Sequence, residues 1–242
     1  MDLIESKIIP YKAGGLQMVG TLYKGAAPAS AAIVVFPEAP GPGPNVHSRA
    51  ERLAQRGYAV MIADLHGEAQ RLTDHVEITA KLDALKADVT TVRLRALAAY
   101  QALLSATGVK AERVAAIGFC FGGTMALELA RDGAQLGAVV GFHSGLAPLS
   151  EPAKHKLSAP VLVCIGADDP SIPAAVRTAF ETEMTLSKSD WMIELYGQTI
   201  HSFTDVNADK MGRPDFARYS AQADVASWSA MLSLFKRTID LI

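Results

Sequence analysis

Three residue types that together can break an acyl bond occur in order along this chain: a cysteine at Cys120, adjacent aspartates at Asp168 and Asp169, and a histidine at His201. A thiol attacks carbonyl carbon as the thiolate, so it needs a base. An imidazole serves when a carboxylate holds its tautomer and offsets the imidazolium charge. Cys120 stands in Gly118-Phe119-Cys120-Phe121-Gly122-Gly123, directly after an apolar run and before Thr124-Met125-Ala126-Leu127-Glu128-Leu129-Ala130, a good helical segment. Strand, sharp turn and helix in that order match the G-x-S-x-G nucleophile elbow with cysteine in place of serine, the glycines allowing a strained turn. The helix after Cys120 would direct backbone N–H groups and a positive dipole end at the thiol, favouring thiolate and negative charge on a substrate oxygen. Phe121 N–H is then a candidate oxyanion donor. The competing reading is a structural cysteine buried in a glycine-rich turn.

These groups must be positioned by something, and the chain shows what. Short β-branched runs at 31–36, 59–63, 114–119, 137–142, 160–165 and 191–195 alternate with helical segments. That alternation predicts an α/β fold with a mostly parallel central sheet and helices on both faces. Most of these runs are apolar throughout, as strands covered on both sides are. Segments 6–11 and 16–23, separated by Gly14 and Gly15, predict an antiparallel hairpin at the sheet edge. Asn45 is placed to cap a helix running to Gly57, and 85–105 repeats apolar residues at helical spacing. Without a linker, repeat or charge block, residues 1–242 read as one domain. The order nucleophile, acid, histidine is that of an α/β-hydrolase, and all three positions fall just past strand ends, where functional groups of open sheets gather.

From residue 31 onward the chain resembles the dienelactone hydrolase family. The resemblance rests on G-F-C-F-G-G at the elbow, G-A-D-D-P-S-I-P at 166–173, H-S-F at the histidine and F-P-E-A-P-G after the first core strand. It implies an α/β-hydrolase fold and a Cys, Asp, His triad, and its register assigns the acid to Asp169, leaving Asp168 as a loop carboxylate. It places Glu38 near the nucleophile and makes Ala39 N–H the second oxyanion donor. A carboxylate beside a thiol raises the thiol pKa and can accept its hydrogen bond, so the expectation is that Glu38 guards Cys120 at rest; the alternative is a loop carboxylate facing water. Family members hold a substrate carboxylate with arginines, one of them four residues past the histidine, a position occupied here by Asp205. Arg71 or Arg213 could replace that anchor, and Asp205 itself points to neutral substrates. Phe119 and His143 are candidate pocket residues, with packing beneath the turn and a hydrogen-bonded structural histidine as the competing readings.

Composition narrows the rest. With 23 Lys plus Arg, 25 Asp plus Glu and a net charge of −2, the chain has no basic excess for nucleic acid or a membrane surface. Its apolar runs are far short of the ~20 residues needed to span a bilayer. Two cysteines, Cys120 and Cys164, allow no disulfide framework, and with an acidic amino terminus they predict a reducing, cytoplasmic setting. No metal is expected, since His47, His66, His75, His143 and His155 lack any ligand spacing, and no cofactor, since Gly41-Pro42-Gly43-Pro44 offers too few N–H groups for a phosphate loop. The expected function is a cysteine-dependent hydrolase of small esters or lactones acting through a thioester, as a monomer or small homo-oligomer. The alternatives are a non-catalytic small-molecule binding protein on the same fold and a thiol redox protein, for which a C-x-x-C is lacking.

Overall fold

Runs of small and β-branched apolar residues leave no polar face for water, and they form the buried strands of a central sheet. In the computed structural model, which describes residues 3–240, these are β3 (Ala32–Phe36), β4 (Ala59–Ile62), β5 (Val114–Phe119), β6 (Ala138–Phe142) and β7 (Val161–Gly166). A half-exposed β8 (Trp191–Tyr196) closes one edge. At the other edge β1 (Glu5–Ala13) and β2 (Leu16–Lys24) form the expected hairpin, turned at Gly14 with φ 61°. The strand order is β1-β2-β4-β3-β5-β6-β7-β8, antiparallel through β1, β2 and β4 and parallel from β4 to β8.

Among the described residues six helices accompany the sheet: α1 (Pro44–Ala54), α2 (His75–Ala87), α3 (Val89–Thr107), α4 (Phe121–Arg131), α5 (Ala174–Leu186) and α6 (Ala221–Thr238). Strand alternation divides the core into two layers. Ile33, Val35, Ile117 and Phe119 pack with residues of α1 and α6, while Val34, Phe36 and Ala116 pack with residues of α3, α4 and α5. This is an α/β-hydrolase fold. The chain leaves β3 for β4 on one side and later returns to β5 on the other, so the carboxyl ends of β3 and β5 mark a topological switch point, where crevices form in open sheets. Phe36 and Gly118 are register partners there, so the residues that follow them lie side by side.

Three helix readings need correction. The segment 85–105 is not continuous: Asp88, at φ −128° and ψ 79°, ends α2 and caps α3, its carboxylate accepting from Thr91 N–H. The helix expected to be capped by Asn45 begins two residues earlier, with Gly43 as N-cap, because proline at the first position forfeits only an N–H that would be unpaired anyway. It ends at Ala54, three residues before Gly57. The helices α5 and α6 were not among the expected elements.

The helix that carries the elbow is tied down by buried charge. Arg131 of α4 forks onto Glu183 of α5 at 2.8 and 2.7 Å and reaches Glu128 at 3.2 Å, while Arg93 of α3 bonds Glu128 at 2.9 Å. The remaining carboxylate valences take the Leu149 and Ala153 amides. Removing one partner of such a set leaves uncompensated charge, at a cost of about 3–5 kcal/mol. Arg131→Met should therefore lower Tm by roughly 6–20 °C for a domain of this size, measured by calorimetry beside the parent. A drop below about 2 °C would show that the set contributes nothing to the hold on α4.

Candidate active site

Cys120 sits between β5 and α4 with φ 54° and ψ −121°, a left-handed conformation that a non-glycine residue adopts only when its surroundings dictate it. Those surroundings are glycines with no room for a side chain. A Cβ on Gly118 would collide with the Gly122 backbone, one on Gly122 with the Phe36 and Pro37 carbonyls, and one on Gly123 with Ser144. The Cys120 amide donates to Phe142 O at 3.0 Å and to His143 Nδ1 at 3.2 Å, and its carbonyl accepts from Gly123 N. Phe121, first residue of α4, has an amide with no intrahelical acceptor, and it interacts with the thiol.

His201 follows β8, and its Nδ1 lies 2.7 Å from Asp169 Oδ2. Asp169 is 2% exposed and its other oxygen accepts from Ser171 N at 2.8 Å. Asp168 is exposed, with its amide on Thr199 O, and the carboxylate bonded to His201 is that of Asp169. The His201 ring is bedded between His143, at 5.1 Å centroid distance, and Phe216, at 5.0 Å. Its buried Nε2 interacts with Cys120 without an aligned hydrogen bond.

Burial disfavours the charged forms of both groups, yet each is the other's remedy. For His201, burial is outweighed by Cys120 charge and the Asp169 hydrogen bond, and its pKa is pushed up to about 10. For Cys120, burial is outweighed by His201 and helped by the Phe121 amide, and its pKa is lowered; Glu38 opposes this weakly. Glu38 itself is raised by burial, which outweighs the hydrogen bond from Asn45. That bond, 2.6 Å from Asn45 Nδ2 to Glu38 Oε1, commits the carboxylate to α1. The structure thus pairs the thiol with His201 and not, as expected from the sequence, with Glu38.

Cys120, His201 and Glu38 open onto a pocket of about 260 Å³. Ala39 lies beside them, with no acceptor for its amide among the described residues and its carbonyl on His66 Nε2. Arg71 and Asp205 are also in the wall. Phe119 and His143 are not, which corrects their assignment as pocket residues. Phe119 shares the Ile117 face of β5 and stacks on Phe142 at 4.8 Å inside the α1/α6 layer, and His143 lies under the elbow, fully buried. Sequence reasoning missed Ile78 and Leu82 of α2 and Met211 and Phe216 of the loop before α6, which supply the apolar walls. Nothing local signals them, because they reach the site by tertiary folding alone. A larger groove of about 890 Å³, near Ile4 and Arg56, has no cysteine, histidine or carboxylate among the described residues of its lining.

The sheet, the switch-point crevice and a strained turn at a strand end define an α/β-hydrolase. The chain belongs to the dienelactone hydrolase family, whose profile matches residues 18–239. It is 38% identical to a dienelactone hydrolase-like promiscuous phosphotriesterase from metagenomic libraries, with a TM-score of 0.92 over 97% of this chain and 98% of that one. A Bradyrhizobium protein described as a probable 2-oxo-3-(5-oxofuran-2-ylidene)propanoate lactonase is 28% identical over 71% of this chain and 73% of its own length. The dienelactone hydrolase of Anabaena variabilis shares the fold at a TM-score of 0.64 and 21% identity, over 95% of this chain and 98% of that one.

Two outcomes are expected from this geometry. The thiolate–imidazolium pair should persist from below the ordinary thiol range up to about pH 10. Its contribution to stability is lost as pH rises through that upper value, where the imidazolium deprotonates, and as pH falls through the lowered thiol pKa. Iodoacetamide alkylation of Cys120 should accordingly reach its plateau below about pH 8.5; a plateau reached only above that value would mean the pair does not form. Asp169→Asn should reduce ester turnover by up to about 10⁴-fold, with Asp168→Asn within a few-fold of the parent; the reverse ranking in folded variants would move the orienting role to Asp168.

Proposed function

We propose that this protein is a thiol-dependent hydrolase of small, neutral carboxylic esters or lactones. The observation that carries the reading is the strained Cys120 facing His201, whose far nitrogen is 2.7 Å from Asp169. In the proposed course the Cys120 thiolate adds to the carbonyl carbon, and the resulting oxyanion is received by the Ala39 and Phe121 amides. Collapse breaks the bond to the alcohol oxygen, which takes its proton from the His201 imidazolium, leaving a thioester on Cys120. Water then adds to the thioester and gives a proton to His201. The C–S bond breaks, the acid leaves, and the thiolate–imidazolium pair is restored.

The wall supports a neutral substrate. Ile78, Leu82, Met211 and Phe216 are apolar, and the wall carboxylates Glu38 and Asp205 balance Arg71 and Arg213 in formal charge. An unpaired carboxylate about 4 Å from a substrate anion would oppose it by up to about 4 kcal/mol, less in solvent, so Asp205 works against a second anion at its end of the pocket. A second reading has a specific support: the 38% identity to a promiscuous phosphotriesterase. Neutral phosphotriesters present an electrophilic centre to the same thiolate and an oxygen to the same amides.

An aryl acetate should release a burst of alcohol equal to the enzyme present, and Cys120→Ala should abolish both burst and turnover with Tm nearly unchanged. A binding protein gives no burst, and a folded Cys120→Ala that still turns over removes the thioester course. On kcat/KM, the neutral ester should exceed a carboxylate-bearing lactone by about tenfold or more, at low and high salt alike. A preference for the anion that fades with salt would assign Arg71 or Arg213 an anchoring role and overturn the neutral class. An aryl dialkyl phosphate should be turned over more slowly and lose activity in Cys120→Ala; retention there would separate that reaction from the thiol.

A further inference from the structure

His143 directly follows β6 in a left-handed conformation, φ 40°, with its amide on Cys164 O at 2.9 Å. A histidine held there needs its surroundings to insist on it, and its ring shows how they do. Nδ1 lies 3.2 Å from the Cys120 amide, which can only donate, so Nδ1 accepts and carries no hydrogen. The hydrogen is therefore on Nε2, which donates to Thr204 Oγ1 at 2.8 Å. Thr204 lies three residues beyond His201, and its carbonyl accepts from Arg49, itself paired with Asp224 at 2.8 Å. The same ring makes edge contacts with His201 at 5.1 Å and Phe203 at 5.3 Å, and it is completely buried.

One imidazole thus touches the backbone of the thiol residue, the ring of its partner and the strap that carries that partner. No aligned hydrogen bond joins Cys120 to His201 directly. Their spacing is set by what lies beneath them. We infer that His143 is a positioning residue, a neutral imidazole of fixed tautomer whose bonds to the Cys120 amide and the Thr204 hydroxyl hold the thiol and His201 at working distance. The inference rests on the thiol-dependent reading above.

Charge on His143 would destroy the arrangement, because a protonated Nδ1 would set N–H against the Cys120 N–H. The strongest influences around it oppose that charge. Burial comes first, then the imidazolium of His201 and the guanidinium of Arg49, and together they hold the His143 pKa well below the usual histidine value. Cys120 faces the same nitrogen, and Asp224 balances Arg49 from α6.

Two substitutions separate positioning from packing. His143→Phe keeps a ring against His201 and Phe203 and removes both hydrogen bonds; Thr204→Val removes one acceptor at nearly constant volume, and Thr204→Ser restores it. For an aryl acetate, kcat should fall by up to about 100-fold in His143→Phe and by a smaller factor in Thr204→Val, with KM within about threefold and Thr204→Ser close to the parent. The acid limb of kcat/KM should move upward in the first two variants as the imidazolium of His201 is no longer held close to the thiolate. A merely structural role would lower Tm and leave that limb in place, and a Thr204→Val with parental kcat and acid limb overturns the inference whether or not His143→Phe folds. Cys120→Ala, assayed alongside, distinguishes the failures: if it retains turnover, the thiol reading itself falls; if it is inactive while the Thr204 and His143 variants behave as the parent, only the positioning role falls.

Discussion

The passage of α4 across the ends of β3 and β5 leaves no space for a side chain at Gly118, Gly122 or Gly123, and the rest of the site depends on that closeness. Because the helix starts so near the sheet, the one residue between strand and helix has to turn back through a left-handed conformation. Such a conformation costs on the order of 1–3 kcal/mol, and it is sustained by two acceptors on the Cys120 amide and a donor on its carbonyl. The thiol therefore stands at the positive end of α4, beside amides that have no helical acceptor, before any substrate arrives.

Electrostatic order follows from how the buried charges sort themselves. Arg131, Arg93, Glu128 and Glu183 compensate one another on one face of the sheet, and Arg49 with Asp224 on the other. Asn45 occupies Glu38. What remains facing Cys120 most directly is His201, and its influence outweighs both burial and Glu38 in deciding the direction of the thiol pKa. The carboxylate that the sequence places beside Cys120 is thus a lesser influence on its thiol, because an amide from α1 holds it. Asn45 does more for the site as a side-chain donor than it would have done as the helix cap its sequence position invites.

How much of this was legible beforehand depended on the range of the forces involved. The buried strands and the hairpin could be read because apolar runs bounded by glycine and proline are local signals, and the family likeness carried the register of Asp169. The break at Asp88 was legible too, since an aspartate three residues before Thr91 is a capping signal, but the apolar spacing across it looked continuous. Phe119 could have been excluded from the pocket by alternation alone, because it shares a face with Ile117. The roles of Ile78, Leu82, Met211 and Phe216 could not be read, since no local pattern distinguishes an apolar residue that lines a pocket from one that fills a core.

That division of legibility is also a division of labour. The thiol, its amides and the acid next to His201 stand at strand ends, where register and packing on both sheet faces hold backbone atoms in place. The pocket walls come from α2 and from the loop before α6. Leu85 is the one buried residue of α2, while Ile78 and Leu82 are half-exposed, and the loop crosses His201 through the Arg218 amide and the bridge to Ala217. Residues held by so few contacts can be exchanged at little cost to stability, whereas a methyl group added at Gly122 would meet two carbonyls. The lining of the pocket in such a fold is therefore free to change while Cys120 and His201 stay where they are, because the two rest on parts of the molecule held by different amounts of packing.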